Sequence, residues 1–470
     1  MMKHLIALVF LAVTCLNCKS NDNSCGKAYF GGEIINPTSE YVILSDDLSS
    51  HVDTLYLDAN NRFSHVVTTL VPGLYSFVHG GEYQIAVLEP NDSIMIRLNT
   101  YDFDESLVFT GRGSKKNNFL ISQYVTLDKE EQHIYRNFHL SPQDFKLKLD
   151  SLKLQKKQKL NAFFLKHPSS ELFIQVANSS IDFNYNAYLE IFPFRHYKKQ
   201  ELYKYDLISD DFYDYRTGIN YDENIFSHYY PFYNFLLPHF DNLALEGYFR
   251  ATNDSIFDKN SIVYNLEKLA LIDAKVKHET IRNDLLKYCT KKYLSDANTM
   301  ENCAKMYNSF LSKSSNKRDL QHISSVFTTL RNIQPGNRFP NVEIIDQHNK
   351  LKDISTIIDK PTVIFFWSKA IKNHFKNSHN KVNILREEYP NINFVSFNID
   401  SNTSYFWKHL LHENKFPLEY EYRFKNPHAA KKILAINYVN KVMVLDKDGK
   451  ITSSNASMFK RDFRTLLDTL

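Results

Sequence analysis

Between residues 27 and 112 eight short runs, YFGGEII, EYVILSD, HVDTLYLD, NRFSHVVTT, GLYSFVHG, YQIAVLEP, DSIMIRLN and SLVFTGRG, alternate apolar with polar residues. Successive side chains of a strand point to opposite faces, so this alternation turns one face inward and the other to water. Turn residues separate the runs at a spacing near ten residues, which predicts an antiparallel β-sandwich over 27–113. Asp53, Asp58 and Asp92 read as turn and surface residues, because no D-x-D-x-D-G calcium loop accompanies them.

At about residue 114 the period lengthens to that of helices, and it stays so to about 333. Ser141 and Pro142 form an N-cap and first-turn pair that opens SPQDFKLKLDSLKLQKKQKLNAFFLKH, an amphipathic helix with a Lys-rich face. Ser170 opens another. The Lys-rich face reads as solvated, since Asp150 interrupts it and the formal net charge of the whole chain is only +4. With 29 Tyr and 35 Phe, the chain has aromatic residues enough for extensive packing, and FSHYYPFYNF (226–235) is a candidate binding groove. At 470 residues there is room for two or three domains.

The segment VIFFWSKAIKNHF, Val363 to Phe375, places an apolar strand ending in Trp directly before a helix. Around it lie PGNRFPNVEIIDQHNKLKDIS with a hairpin over Asp346 to Lys350, the strand NFVSFNID ending at Asp400, the helix SYFWKHLLHENK, and VMVLDKDGKI with a turn at Asp446 to Gly449. This order resembles the TlpA-like branch of thioredoxin-fold proteins, and the preceding β domain resembles the one found ahead of it in Bacteroidetes envelope proteins. The implied fold class is multidomain α+β: an N-terminal antiparallel β-sandwich, a helical middle (114–333) and a C-terminal thioredoxin-like α/β domain (334–470).

The resemblance aligns the family's W-C-x-x-C with Trp367, Ser368, Lys369, Ala370 and Ile371. Disulfide exchange needs a thiolate to attack and a second thiol to resolve, and neither Ser368 nor Ile371 supplies one. Ser368 reads instead as the N-cap of the following helix; no G-x-S-x-G elbow or comparable signature marks it as a nucleophile. The family's cis-proline, usually followed by Thr, aligns with Asn440, followed by Lys441. A cis bond before Asn costs about 3 kcal/mol, so the clamping loop is expected to be lost with the thiols. Trp367, Lys369, Asn440 and Lys441 would then border a shallow surface able to receive an envelope protein or peptide partner.

Cysteines occur at 15, 18, 25, 289 and 303 only, so none lies in the thioredoxin-like segment. Lys3 followed by LIALVFLAV reads as a signal peptide, too short an apolar run to span a bilayer. The next residues, TCLNCKSNDNSCG, resemble a bacterial lipoprotein signal, with Cys18 the favoured acylation site over Cys15 and 19–26 a tether that includes Cys25. Cleavage beyond residue 18, leaving incidental thiols, is the other reading. The lipoprotein resemblance implies a bacterial cell-envelope location, a lipid anchor in the outer membrane and a body facing the periplasm.

Cys289 and Cys303, on neighbouring predicted helices, are a candidate disulfide without C-x-x-C spacing. His409 and His412, and His374 and His379, lack a third ligand and read as surface or core histidines. No G-x-G-x-x-G or P-loop occurs, and T-G-R-G-S-K at 110–115 lacks Walker spacing. The sequence therefore predicts no cofactor, no metal and no nucleic acid. Two function classes remain: a redox-inactive, protein-binding or structural envelope lipoprotein, and an oxidoreductase-family protein acting through Cys289 and Cys303 or with a cysteine-bearing partner.

Overall fold

The computed structural model describes residues 26–470 apart from 47–50, 253, 297–298 and 402–403; Cys15, Cys18 and Cys25 lie outside the described residues. The chain divides into two compact units at Asn242 and Leu243, within the helix Tyr230–Thr252. The expected multidomain α+β architecture is what the structure has, with strands first, helices in the middle and a mixed sheet last.

In the first unit, β1 (Gly26–Ile35), β4 (Arg62–Leu70), β7 (Ser93–Asn99) and β8 (Val108–Arg112) form a sheet in the order β4-β1-β7-β8. A second sheet, β3-β2-β5-β6, comprises β2 (Tyr41–Asp46), β3 (Val52–Tyr56), β5 (Gly73–His79) and β6 (Glu82–Leu88). Their inner faces share one core, in which the Phe30 ring of β1 lies 5.6 Å from the Phe77 ring of β5. One pairing departs from the antiparallel expectation: β1 runs parallel to β7, with Gly32 opposite Ile96. A Cβ on Gly32 would stand 2.3 Å from the Ile96 carbonyl oxygen, so the close approach needs glycine there.

Of the carboxylates expected at turns and the surface, Asp58 takes the backbone N–H of Asn60 and Arg62 at 2.8 and 2.9 Å in a turn. Asp92 is buried instead. It accepts from Lys116 at 2.6 Å and from the Glu89 N–H at 2.9 Å, because the helix Ser114–Arg136 folds its first turn over this corner. Burial pushes its carboxyl above the usual range, against the pull of Lys116.

The Ser141 and Ser170 hydroxyls cap the helices Pro142–Lys166 and Glu171–His196 as expected, accepting from the N–H of Asp144 and Phe173 at 3.2 Å. The helix Tyr230–Thr252 follows a 3₁₀ segment over Asp210–Gly218. The second unit holds helices Ile262–Lys275, Glu279–Asp296, Met300–Lys313 and Lys317–Asn332 before its sheet.

That sheet joins β9 (Glu343–Ile345), β10 (Leu351–Asp353), β11 (Thr362–Trp367), β12 (Asn393–Asn398), β13 (Glu421–Phe424), β14 (Val442–Leu445) and β15 (Ile451–Ala456) in the order β10-β9-β13-β12-β11-β14-β15. β11 and β13 run parallel to β12, while β14 lies antiparallel to β11. Both faces of the sheet are covered, which is why β11 is an unbroken apolar run rather than an alternating one. Val363 and Phe365 pack with Val382 and Leu385 of the helix Lys372–Glu388; Ile364 and Phe366 pack the other way, with Leu434 and Ile436. Trp367, the last residue of β11, enters a separate cluster with Phe375, Trp407, Leu411 and Phe416.

Candidate functional site

The end of β11 delivers residues 367–371 to the start of the helix Lys372–Glu388, but Trp367 turns inward. It is 0 % exposed. Its Nε1–H lies 3.2 Å from both Ser396 Oγ of β12 and Glu421 Oε2 of β13. The Ser396 hydroxyl also donates to Glu421. His379 donates through Nδ1 to the Phe375 carbonyl at 2.7 Å and stacks on Phe416, while its Nε2 stands 3.2 Å from Glu421 Oε1 without hydrogen-bond alignment. A buried carboxylate is costly unless donors surround it. Trp367 and Ser396 supply them, so this cluster ties β11, β12 and β13 together beneath the surface.

Ser368 is not an N-cap, as its sequence position suggested. The helix begins at Lys372 with Ile371 as its capping residue. The Ser368 hydroxyl donates to Asp400 Oδ1 at 2.5 Å and accepts from the Ala370 N–H at 3.2 Å. Asp400 also accepts from the Lys369 N–H at 2.9 Å and from Asn398 at 3.0 Å. The carboxylate at the end of β12 thus fixes the turn that precedes the helix. No imidazole contacts the Ser368 hydroxyl among the described residues; its acceptor is Asp400, a carboxylate that also takes the Lys369 N–H and the Asn398 amide.

The shallow surface expected from Trp367, Lys369, Asn440 and Lys441 is built differently. Lys369 and Asn440 are exposed, but Trp367 and Lys441 are buried. Lys441 Nζ donates to the carbonyls of Leu434 and Ala435 at 2.8 and 3.1 Å, just past the helix Pro427–Ile433. Burial pulls its ammonium down to about 7. What faces solvent beside the turn is Ile371, with Lys369 Nζ 5.3 Å from the centroid of the exposed Phe406 ring. His374 packs near Phe459, and burial, with His379 nearby, lowers its pKa. Among the described residues there is no cis peptide bond.

The candidate disulfide is absent. Cys289 and Cys303 are separate, buried thiols, each on the packed face of its helix, and burial pushes the Cys303 thiol up. His409 pairs with Glu413 at 3.2 Å, and no group of three or more ligating side chains occurs among the described residues.

A second polar cluster, in the first unit, had no signal in the sequence. Glu190, on the helix Glu171–His196, is fully buried. It accepts from Tyr215 at 2.7 Å, Arg216 Nε at 3.0 Å, His239 Nδ1 at 2.6 Å and Asn242 at 2.8 Å, with Arg216 Nη2 on its second oxygen. Desolvation raises its pKa, but His239 and Arg216 outweigh it and hold the carboxyl below its ordinary value. The aromatic run 226–235 is mostly interior: Phe226, Tyr229, Phe232 and Phe235 are all buried.

A family model described as thioredoxin-like matches residues 359–451. Among solved structures, a candidate thiol-disulfide oxidoreductase from Bacteroides vulgatus shares 23% identity over 29% of this chain and 97% of its own, with a TM-score of 0.27. A thioredoxin-like protein from Bacteroides caccae shares 11% identity over 61% of this chain and 94% of its own, with a TM-score of 0.35. The thioredoxin domain of another Bacteroides vulgatus thiol-disulfide oxidoreductase shares 15% identity over 29% of this chain and 96% of its own, with a TM-score of 0.24. No curated protein matches. The C-terminal domain is thus thioredoxin-like, with the seven-stranded sheet described above.

Proposed function

We propose that this chain is a cell-envelope lipoprotein whose thioredoxin-like domain is redox-inactive and serves as a protein-binding or structural module. The observation that carries the reading is the turn after β11: a serine hydroxyl bonded to Asp400 stands where disulfide exchange would need a thiolate, and no cysteine occurs between 334 and 470. What the turn offers instead is the exposed Ile371 and Lys369, with the exposed Phe406 ring 5.3 Å from Lys369 Nζ, suited to contact rather than chemistry.

The lipid anchor rests on the sequence around Cys18, and with it the outer-membrane location facing the periplasm and the domain ranges proposed from the sequence. Exchange through Cys289 and Cys303 has their burial against it. Insulin reduction by the chain from residue 26 onward tests the reading: no activity above a buffer control is expected, and activity abolished by Cys289→Ser with Cys303→Ser would overturn it. Crosslinking capture from envelope extracts, compared between the parent and Ile371→Asp, tests the face. An unchanged set of partners would remove it from consideration. Mass spectrometry of the mature N-terminus distinguishes Cys18 from Cys15.

A further inference from the structure

The helix Glu171–His196 turns a polar stripe toward a cleft. Gln175, Ser179, Asp182 and Asn186 are spaced by four, three and four residues, which places them on one helical face. That face lines a cleft of ≈ 380 Å³ in the first unit, which residues 218–220 and Glu223 line as well. A helix face directed at neighbouring elements is ordinarily apolar. Here it is not.

The charges in the cleft are already committed. Lys153 pairs with Asp182 at 2.9 Å and donates to Asn186 Oδ1 at 3.0 Å. Asp182 takes a second lysine, Lys157, at 2.8 Å, and Glu223 accepts the Asn220 amide at 3.1 Å. Among the described residues, the Gln175 amide, the Ser179 hydroxyl and the Asn186 amide nitrogen make no hydrogen bond. Gln175 and Ser179 can each donate and accept, and Asn186 can donate.

The remaining wall is aromatic. The half-buried Phe183 ring is packed by three others: Phe232 tilted against it at 4.8 Å, Phe226 edge-on at 5.2 Å, and Phe235 stacked at 5.8 Å with planes 14° apart. A ring backed in this way is a rigid platform. Neutral groups that donate and accept, beside a flat apolar face and paired charges, match a ligand carrying many hydroxyls on an apolar ring. The volume lies at the small end of ligand sites.

We infer that this cleft binds a neutral saccharide of one or two pyranose rings, its C–H face on Phe183 and its hydroxyls on Gln175, Ser179 and Asn186. The test is saturation-transfer difference NMR on the full chain with glucose, galactose, N-acetylglucosamine, maltose and cellobiose, each to about 20 mM, a range that captures weak binding. The expected result is saturation of ring C–H protons in at least one sugar. Loss of that signal in Ser179→Leu, which fills the cleft, and roughly tenfold weaker binding in Gln175→Ala should follow. Both sites are at least partly open to solvent, so circular dichroism should show both variants folded. Silence with every sugar, binding that both folded variants retain, or displacement of the sugar by equimolar citrate would each overturn the inference.

Discussion

Replacing Lys441 by methionine sets two effects on one ammonium against each other. Its stem and Nζ are buried at the start of β14, and burial pulls its pKa from the ordinary 10.5 to about 7. Each pKa unit corresponds to about 1.4 kcal/mol, so the cost of holding the charged form inside has a ceiling of about 5 kcal/mol. The carbonyls of Leu434 and Ala435 offset part of it, and methionine leaves both without this donor, a loss of about 2 kcal/mol in total. Lys441→Met is therefore expected to be more stable than the parent at pH 7, by about 2–3 kcal/mol. Between pH 7 and 10.5 the unfolded chain keeps the proton that the folded chain has released, so the parent gains stability as pH rises across that window. The variant does not. Urea unfolding of both proteins at pH 6.5, 8 and 9.5 measures the difference, which should close by at most about 1.4 kcal/mol per pH unit. A difference that stays flat from pH 7 to 10, or that widens, would refute the reasoning.

Glu190→Gln should cost about 3 kcal/mol by leaving the partly buried Arg216 without its carboxylate, read as a lowered urea midpoint. Because the folded-state pKa of Glu190 lies below its ordinary 4.5, the parent keeps this contribution above that value and loses it as pH falls through the lower one. Acid unfolding followed by circular dichroism should accordingly be less steep in the variant. Trp367→Ala should destabilise the C-terminal domain by about 3–5 kcal/mol, whereas Ile371→Asp, which puts a capping side chain at the start of its helix, should leave it as stable as the parent or more stable by about 1 kcal/mol in the same urea titration. Cys289 and Cys303 should resist iodoacetamide in the native chain and react only in denaturant; labelling at native rates comparable to a free thiol would contradict their burial.

The sandwich was legible because strands such as β7 have one wet face, and the alternation of buried Ile94, Ile96 and Leu98 with exposed Met95 and Arg97 reports which face that is. The same logic fails at β11. With both faces covered, VIFFW carries no alternation, and nothing in it says whether Trp367 points to the sheet's end or into it. The indole's direction is set by Ser396 and Glu421, which lie 29 and 54 residues away. Glu190 is similar: Arg216, His239 and Asn242 stand 26, 49 and 52 residues further on, and no local pattern announces such a meeting. The caps at Ser141 and Ser170 were readable because their partners are three residues distant. Ser368 departs from the same rule, since Asp400, two residues past the neighbouring strand, takes its hydroxyl before the helix begins.

The tryptophan cluster at the end of β11 also makes the molecule optically asymmetric. The chain contains only two tryptophans, and both, Trp367 and Trp407, are buried together against Phe375 and Phe416 in the C-terminal domain. Excitation at the red edge of the indole band therefore reports this one domain, while far-ultraviolet dichroism reports every helix and strand. A denaturation curve in which the two signals separate would assign a stability to the thioredoxin-like domain and another to the rest, in the intact chain and without a label.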